Sequence, residues 1–444
     1  MSDATLDASP RPRAAVSDLY RAVWRWHFYA GLFVLPFLIT LAVTGAAYLF
    51  RDEIDAIIHA DIKRVEVAQT GTLSPEAIVA SAVTPVPGRA VKYTDPPTAA
   101  ASAEVTVATD DGRRMAVYVN PYEGYVLGAR PDRSTVMWTV RYLHSLRYFG
   151  PVARGVIEIV GGWTILLVAT GVLSVRGDRR RRVFWRDTHA VTGIVVGGFI
   201  VFLAVTGMPW SQVWGGKVNE WANGHNFGYP SGVRVDVPMS GQRLTDTAQT
   251  SWSLEQARVP ETPPPAQGAV PIGLNAAGAA FERLGLHPGF SVALPSSPTG
   301  VYSGSVYPDD LAQQRVVHLD QYSGRSLVDM SYADYGPMGR WLEFGINTHM
   351  GQQFGLANQI LLLAVCGGIV LLAVSGGVMW WKRRPSRSMG VPPMPADRRV
   401  FRGLLAILAV GGVLFPLTGA SLLVMLALDT AIRRLRGTAS RAAA

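Results

Sequence analysis

Two apolar stretches with a shared pattern decide the fold of this chain. The first, from Trp24 to Tyr48, reads WRWHFYAGLFVLPFLITLAVTGAAY, and the second, from Trp185 to Pro209, reads WRDTHAVTGIVVGGFIVFLAVTGMP. Each has a His near its start, a Gly four residues later and a Thr-Gly pair 17 and 18 residues after the His. The matched positions are His27, Gly31 and Gly45 in the first stretch and His189, Gly193 and Gly207 in the second. Because a helix of about 20 apolar residues crosses a bilayer, each stretch predicts a membrane span.

Another two histidines repeat in the same way. His144 and His349 are each followed by a Phe-Gly pair and, 27 residues after the His, by the Gly of a Thr-Gly or Ser-Gly pair. Both precede a further apolar run. Four histidines in two matched pairs predict that the chain is a tandem repeat, and any function has to account for them.

The composition is that of a membrane protein. Apolar residues make up 49% of the chain and charged residues only 16%. The net charge of +9 does not indicate nucleic-acid binding, because the basic residues cluster in short segments beside the predicted spans. That distribution follows the positive-inside rule and predicts a multi-pass protein of the bacterial inner membrane with a cytoplasmic N-terminus and membrane lipid around it. The first apolar run lacks a convincing cleavage site, so it is expected to remain as an anchor.

The predicted fold is an α-helical membrane protein with four long transmembrane helices in two repeats and two α+β modules outside the membrane. The predicted order is a cytoplasmic tail (1–20), helix 1 (21–50), periplasmic module 1 (51–140), helix 2 (141–175), an Arg-rich cytoplasmic loop (176–187), helix 3 (188–210), periplasmic module 2 with an insertion (211–345), helix 4 (346–382), a cytoplasmic loop (383–402) and a C-terminal hydrophobic segment (403–432).

The C-terminal segment is either one kinked helix or a helical hairpin. Pro416 interrupts it, and basic residues flank both of its ends. Two short helices hinged at the proline would keep both ends in the cytoplasm, so the hinged pair is favoured.

The two outside modules share a hairpin signature. Residues 117–124 read VYVNPYEG and residues 317–324 read VHLDQYSG. The expected elements are a helix that begins after Ser74, a helix near 275–284, and strands at 103–108, 115–119, 300–307 and 315–319.

Together these motifs resemble the PepSY-associated transmembrane family of bacterial inner-membrane proteins, which includes ferric-siderophore reductases with two haems. The residues that carry the resemblance are the two TG-ending spans, Leu143-His144, Thr348-His349, the two hairpin turns and Trp380-Trp381-Lys382-Arg383-Arg384. The resemblance implies PepSY-like modules, two b-type haems, and electron transfer across the membrane. It further implies a periplasmic acceptor, with ferric siderophore as the leading expectation.

The histidines suit b-type haem on their own chemistry. Axial ligands and the pocket alone hold such a haem, and imidazole is the common ligand. We expect His27 with His189 to hold one haem iron near the cytoplasm, and His144 with His349 to hold the other near the periplasm. The single Cys366 excludes the paired cysteines that attach a c-type haem.

The glycines are expected to make room for the porphyrins. Gly31 and Gly193 lie one helical turn after a ligand, on the same face. Eighteen helical residues rise about 27 Å, close to the thickness of the hydrocarbon core. Gly45 and Gly207 are therefore expected to lie at the depth of the other haem.

Each of four other polar residues has two possible roles. Arg147 and Arg25 would bind haem propionates or else anchor the chain at the interface. Glu158 is a functional candidate or the partner of Arg154 in a local ion pair. His225 lies in the insertion and either contacts substrate or is solvated.

The expected function is therefore reduction of a periplasmic acceptor, with Tyr335, Trp341 and the 210–230 loop as contacts. Because no nucleotide-binding motif is found, the electron donor is expected to be a quinol or a separate cytoplasmic protein. The alternatives are a haem-free membrane protein that binds or transports a ligand, and a cytochrome that passes electrons to another membrane protein.

Overall fold

A computed structural model describes residues 18–174, 183–225, 227–228, 237–247, 250–255, 257–386, 389–392 and 398–442. Most of the predicted cytoplasmic tail and Arg-rich loop lie outside these residues. In chain order the helices are α1 (Asp18–Tyr48), α2 (Arg51–Ile58), α3 (Ala60–Lys63), α4 (Pro75–Val83), α5 (Val136–His144), α6 (Gly150–Ser174), α7 (Phe184–Gly207), α8 (Trp214–Gly224), α9 (Leu244–Thr247), α10 (Gly273–Arg283), α11 (Pro337–His349), α12 (Leu356–Arg383), α13 (Arg398–Leu414) and α14 (Pro416–Ala442).

The strands are β1 (Arg89–Thr94), β2 (Ala103–Ala108), β3 (Arg114–Val119), β4 (Val126–Pro131), β5 (Met239–Arg243), β6 (Arg258–Pro260), β7 (Ser291–Ala293), β8 (Val301–Val306), β9 (Arg315–Asp320) and β10 (Ser326–Ser331). The chain forms two compact units, whose boundaries fall within α1, α6, α7 and α12. We call them the helical unit, which contains α13 and α14, and the sheet unit, which contains all the strands.

Four helices are long and apolar enough to cross a membrane, namely α1, α6, α7 and α12. These four candidate spans are the four long helices that the sequence predicts, and they fit a helical membrane protein. Two of them start later than expected. The predicted bounds of helices 2 and 4 include residues 141–144 and 346–349, but these residues end the separate helices α5 and α11. Left-handed backbone at Leu146 and Gly150, and at Gly351 and Gly355, breaks the chain between these helices and the spans.

The strands of the two repeats form one sheet. Its order is β10-β9-β8-β7-β1-β2-β3-β4, so four strands of each repeat meet at the β1–β7 pair. That pair is antiparallel, with Lys92 opposite Ala293 and Thr94 opposite Ser291. The sequence predicts two modules but not their fusion, which removes one exposed edge from each.

One face of this sheet carries the main apolar core. Helices α4 and α10 pack on it, with Ile78 and Phe281 fully buried among strand valines. The Ser74 hydroxyl accepts a hydrogen bond from the Ala77 amide, which caps α4 as the sequence predicts. The opposite face is covered at both ends, by Ile62 at one end and by Leu244 and Leu254 at the other. Between those two covers the face is polar.

The C-terminal segment consists of two helices that meet at Pro416, in the arrangement of the hinged pair. Helix α13 ends before the proline and α14 begins on it, where its missing amide is not needed. The two helices approach closely, because a Cβ added to Gly419 would lie 2.6 Å from the carbonyl oxygen of Gly412.

Candidate functional site

The helical unit brings together the first predicted pair of histidines. His27 lies on α1 and His189 on α7, and their ring centres are 6.4 Å apart with the planes at 89°. Both side chains are half-buried. Residues 162 apart in sequence thus face each other across two spans of different repeats.

The sheet unit brings together the second pair. His144 ends α5 and His349 ends α11, and their ring centres are 6.5 Å apart with the planes at 87°. The two pairs thus have nearly the same geometry, although the first lies within spans and the second at the ends of short helices.

This separation fits a shared metal ion. Two imidazoles that bind one metal from opposite sides would have ring centres about 6.2 Å apart, because each metal–nitrogen bond is about 2 Å and each nitrogen lies about 1.1 Å from its ring centre. The observed 6.4 and 6.5 Å match that value. A direct hydrogen bond between two ring nitrogens would bring the ring centres closer, whereas edge-to-face packing alone also occurs at this separation.

A hydroxyl group orients every one of the four rings. In each case the Nδ1 atom is within 3.1 Å of a Thr or Ser hydroxyl that comes directly before a glycine. The pairs are His27 with Thr170, His189 with Ser375, His144 with Thr44 and His349 with Thr206.

These hydroxyls determine which nitrogen carries the proton. Each of them donates its own hydrogen to a backbone carbonyl three or four residues earlier, as Thr206 does to Phe202 at 2.7 Å and Thr44 to Thr40 at 2.6 Å. The hydroxyl oxygen must then accept from the imidazole, which places the hydrogen on Nδ1. The carbonyl of Leu372, 3.0 Å from Nδ1 of His189, requires the same tautomer. Nε2 is left with its lone pair, the form that binds a metal.

The glycine that follows each hydroxyl lies against the same ring. A Cβ added to Gly45, Gly171 or Gly376 would be 3.3 Å from the Cε1 atom of a histidine, and one added to Gly207 would be 3.5 Å away. Gly45 and Gly207 were predicted to make room for a porphyrin, and the structure places them against the imidazoles of His144 and His349. The sequence indicates the Thr-Gly motif, but it does not indicate the contact of the glycine with an imidazole ring.

The other two predicted glycines have looser surroundings. A Cβ on Gly31 would lie 3.7 Å from Leu167, and one on Gly193 would lie 3.4 Å from Leu372, which are ordinary contacts. Their predicted role beside a porphyrin stays a prediction.

The two arginines near the pairs contact aromatic rings. The Arg147 guanidinium lies 5.4 Å from the ring centre of Tyr142, and the Arg25 guanidinium lies 5.2 Å from that of Tyr29. Arg25 is buried and also donates to the carbonyl of Pro392. It therefore ties α1 to the segment after α12.

One buried acid, Glu158, has partners that the sequence did not indicate. The predicted local ion pair of Glu158 with Arg154 is wrong, because Glu158 accepts the amides of Val213 and Trp214 at 3.0 and 3.1 Å, at the start of α8. Arg154 lies instead 3.5 Å from the carbonyl of Trp210. A carboxylate at a helix N-terminus is favourable, so tertiary contact displaced the local pair.

The residues predicted to contact substrate differ in their exposure in the structure. Tyr335 is only 4% exposed and its hydroxyl lies 2.9 Å from that of Ser251, so the prediction that it touches substrate is wrong. Close to this tyrosine, burial raises the pKa of Glu343 to about 7. Trp341 is 58% exposed, and His225 is an exposed residue whose Nδ1 lies 2.8 Å from the carbonyl of Trp221.

The chain belongs to the family described as PepSY-associated TM region, whose model matches residues 24–383. The match includes three candidate spans in full, the first from Trp24 onwards, and all four paired histidines. No curated protein matches the chain.

Proposed function

We propose that this protein holds two b-type haems, each between one pair of histidines, and transfers electrons across the bacterial inner membrane to a periplasmic acceptor. The leading candidate for the acceptor is ferric siderophore iron. A haem held by both histidines of a pair would supply one-electron transfer. The observation that carries the proposal is the repeated geometry, with ring centres 6.4 and 6.5 Å apart.

Residues beside each histidine support the proposal, because they hold the imidazole ring in one orientation. A back-bonded hydroxyl sets the tautomer of each histidine, and a glycine lets the helix backbone lie close to the ring. Such second partners commonly raise the basicity of a ligating imidazole and fix its orientation. A histidine that merely caps a helix end would not need this arrangement four times.

The direction of transfer rests on the distribution of charge. Basic residues lie at the C-terminal end of α12, with Lys382 and Arg383 in its last turn and Arg384 directly after it, which favours a cytoplasmic position for that end. The pair of His27 and His189 would then receive electrons from a quinol or a cytoplasmic donor. The pair of His144 and His349, in the sheet unit, would deliver them to the acceptor.

An absorption spectrum of the purified protein tests the proposal. We expect a low-spin Soret band and about two haems per chain, because each pair supplies both axial ligands. His27→Ala and His349→Ala should each remove about one haem. The exposed His225 and His287 give matched controls, and their substitution by Ala should change nothing. A colourless protein from haem-replete cells would contradict the assignment.

The same protein separates a reductase from a relay. After anaerobic reduction with dithionite and removal of the excess, the reduced bands should disappear when ferric siderophore is added. If the bands persist with several siderophores, the protein passes its electrons to another membrane protein instead.

A further inference from the structure

A polar groove lies on the face of the eight-stranded sheet opposite the main core. It has a volume of about 790 Å³, and its floor consists of β8, β7, β1, β2 and β3, on both sides of the junction of the two repeats. The covers formed around Ile62 and around Leu244 end on either side of it. A concave site of this size can hold a small ligand.

The floor of the groove is rich in hydroxyl groups. Thr94 and Ser291 face each other across the β1–β7 pair with their oxygens 2.9 Å apart, and Ser305 continues the row on β8. Thr106, on β2, is only 2% exposed, and its Oγ1 has no hydrogen-bond partner among the described residues. A buried hydroxyl without a partner is costly, so this one is suited to a ligand atom.

The groove lining carries one more positive than negative side chain, with Arg89, Lys92, Arg114 and Arg133 against Glu104, Asp132 and Glu261. Lys92 and Glu104 neutralise each other at 3.1 Å on the floor. Arg89 and Arg114 lie on either side of Ala108 in neighbouring strands, so both point to the groove face. Neither guanidinium forms an ion pair within the described part of the chain, whereas the neighbouring Arg113 pairs with Asp111.

The groove also adjoins one of the histidine helices. Thr135 and Trp138 form part of its wall, and they lie at the start of α5, which ends at His144. Six helical residues rise about 9 Å. A ligand in the groove would therefore lie near the second pair of histidines.

We propose that this groove binds an anionic, carboxylate-bearing ligand, with Arg89 and Arg114 pairing with its carboxylates and Thr106 donating to one of its oxygens. Guanidinium groups match carboxylates in geometry and charge. The further claim, that the ligand is a ferric chelate and the electron acceptor, rests on the proposed function. In that role its Fe³⁺ takes one electron from the reduced protein and becomes Fe²⁺.

Calorimetric titration of the detergent-solubilised full chain tests the groove without electron transfer. The probes are gallium citrate, which is redox-inert, citrate alone, and an uncharged gallium trihydroxamate. We expect gallium citrate to bind most tightly. Arg89→Gln and Arg114→Gln should each weaken that binding about tenfold, and Thr106→Val by several-fold. Arg113→Gln is the matched control and should leave the affinity unchanged.

Each other outcome has a definite meaning. Equal affinity for the uncharged chelate, or arginine variants that bind like the wild type, would overturn the groove proposal. Equal affinity for citrate alone would keep the anion site but overturn its role as the acceptor site. A colourless protein that still binds gallium citrate through Arg89 and Arg114 would refute the haem assignment alone.

Discussion

A hydroxyl group beside each imidazole decides which ring nitrogen can bind a metal. Thr44, Thr170, Thr206 and Ser375 donate to their own helix backbone, so each has only a lone pair to offer the ring. Mid-helix Ser and Thr commonly form this bond. The bond to the helix backbone fixes the rotation of the hydroxyl group. Because the hydroxyl oxygen can then only accept from the ring, the bond also fixes the tautomer of the imidazole.

Thr206→Val tests this role at the second pair. Valine has nearly the same shape but leaves Nδ1–H of His349 buried without an acceptor. Loss of such a partner typically costs about 10–100-fold in metal affinity, and a less basic ligand raises the midpoint potential. We expect lower haem content and a raised midpoint potential for one of the two haems, measured by spectroelectrochemical titration.

Thr348→Val is the control for that substitution. Thr348 is half-buried and has the same back-bond, to Phe344 at 2.8 Å, but this bond is exposed. An identical loss of haem in both variants would mean that the hydroxyl of Thr206 does not act through the imidazole.

The sequence indicated the candidate histidines but not what surrounds them. Their pairing follows from matched spacings in two repeats, because a repeated fold places equivalent residues symmetrically. The partner hydroxyls come from other helices, up to 186 residues away, and no local pattern states such contacts. The misassigned Glu158 shows the same limit, since its partners at Val213 and Trp214 are distant in sequence.

At the scale of elements, helix caps and turn residues predict the single helices and strands whose ends they stabilise. The cap at Ser74 predicts α4, which the structure contains. The turns at Asn120 and Asp320, with apolar strand sequences on one side of each, predict β2, β3, β8 and β9. The fusion through β1 and β7 was not predicted, because a pairing between strands about 200 residues apart depends on the edges that the folded repeats expose.

The hinge between α13 and α14 depends on small residues. Gly419→Ala would place a Cβ 2.6 Å from the backbone carbonyl of Gly412, where no side chain can move aside. We expect a loss of about 1–3 kcal/mol in stability, seen as a lower midpoint of thermal unfolding in detergent. Gly403, also on a helix, has nothing within 4 Å of an added Cβ. Gly403→Ala should therefore be neutral or slightly stabilising, and equal destabilisation by both changes would argue against the close contact.

At the scale of the whole molecule, the tandem repeat constrains how the chain crosses the membrane. Helices α1 and α7 are counterparts, as are α6 and α12, and the two halves of the sheet follow the first member of each repeat. If all four candidate spans cross the bilayer, both repeats enter and leave on the same side. The side on which the sheet unit lies then decides whether its groove meets periplasmic or cytoplasmic ligands.

Cysteine labelling measures that orientation, because the native Cys366 is buried in α12. Thr72→Cys places an exposed thiol in the sheet unit, and Ser386→Cys places one in the basic segment after α12. In spheroplasts, a membrane-impermeant maleimide should label Cys at 72 directly and Cys at 386 only after lysis, because short basic loops stay in the cytoplasm. The unmodified chain should remain unlabelled. The reverse pattern would place the sheet unit in the cytoplasm, and a periplasmic acceptor could then not reach the groove.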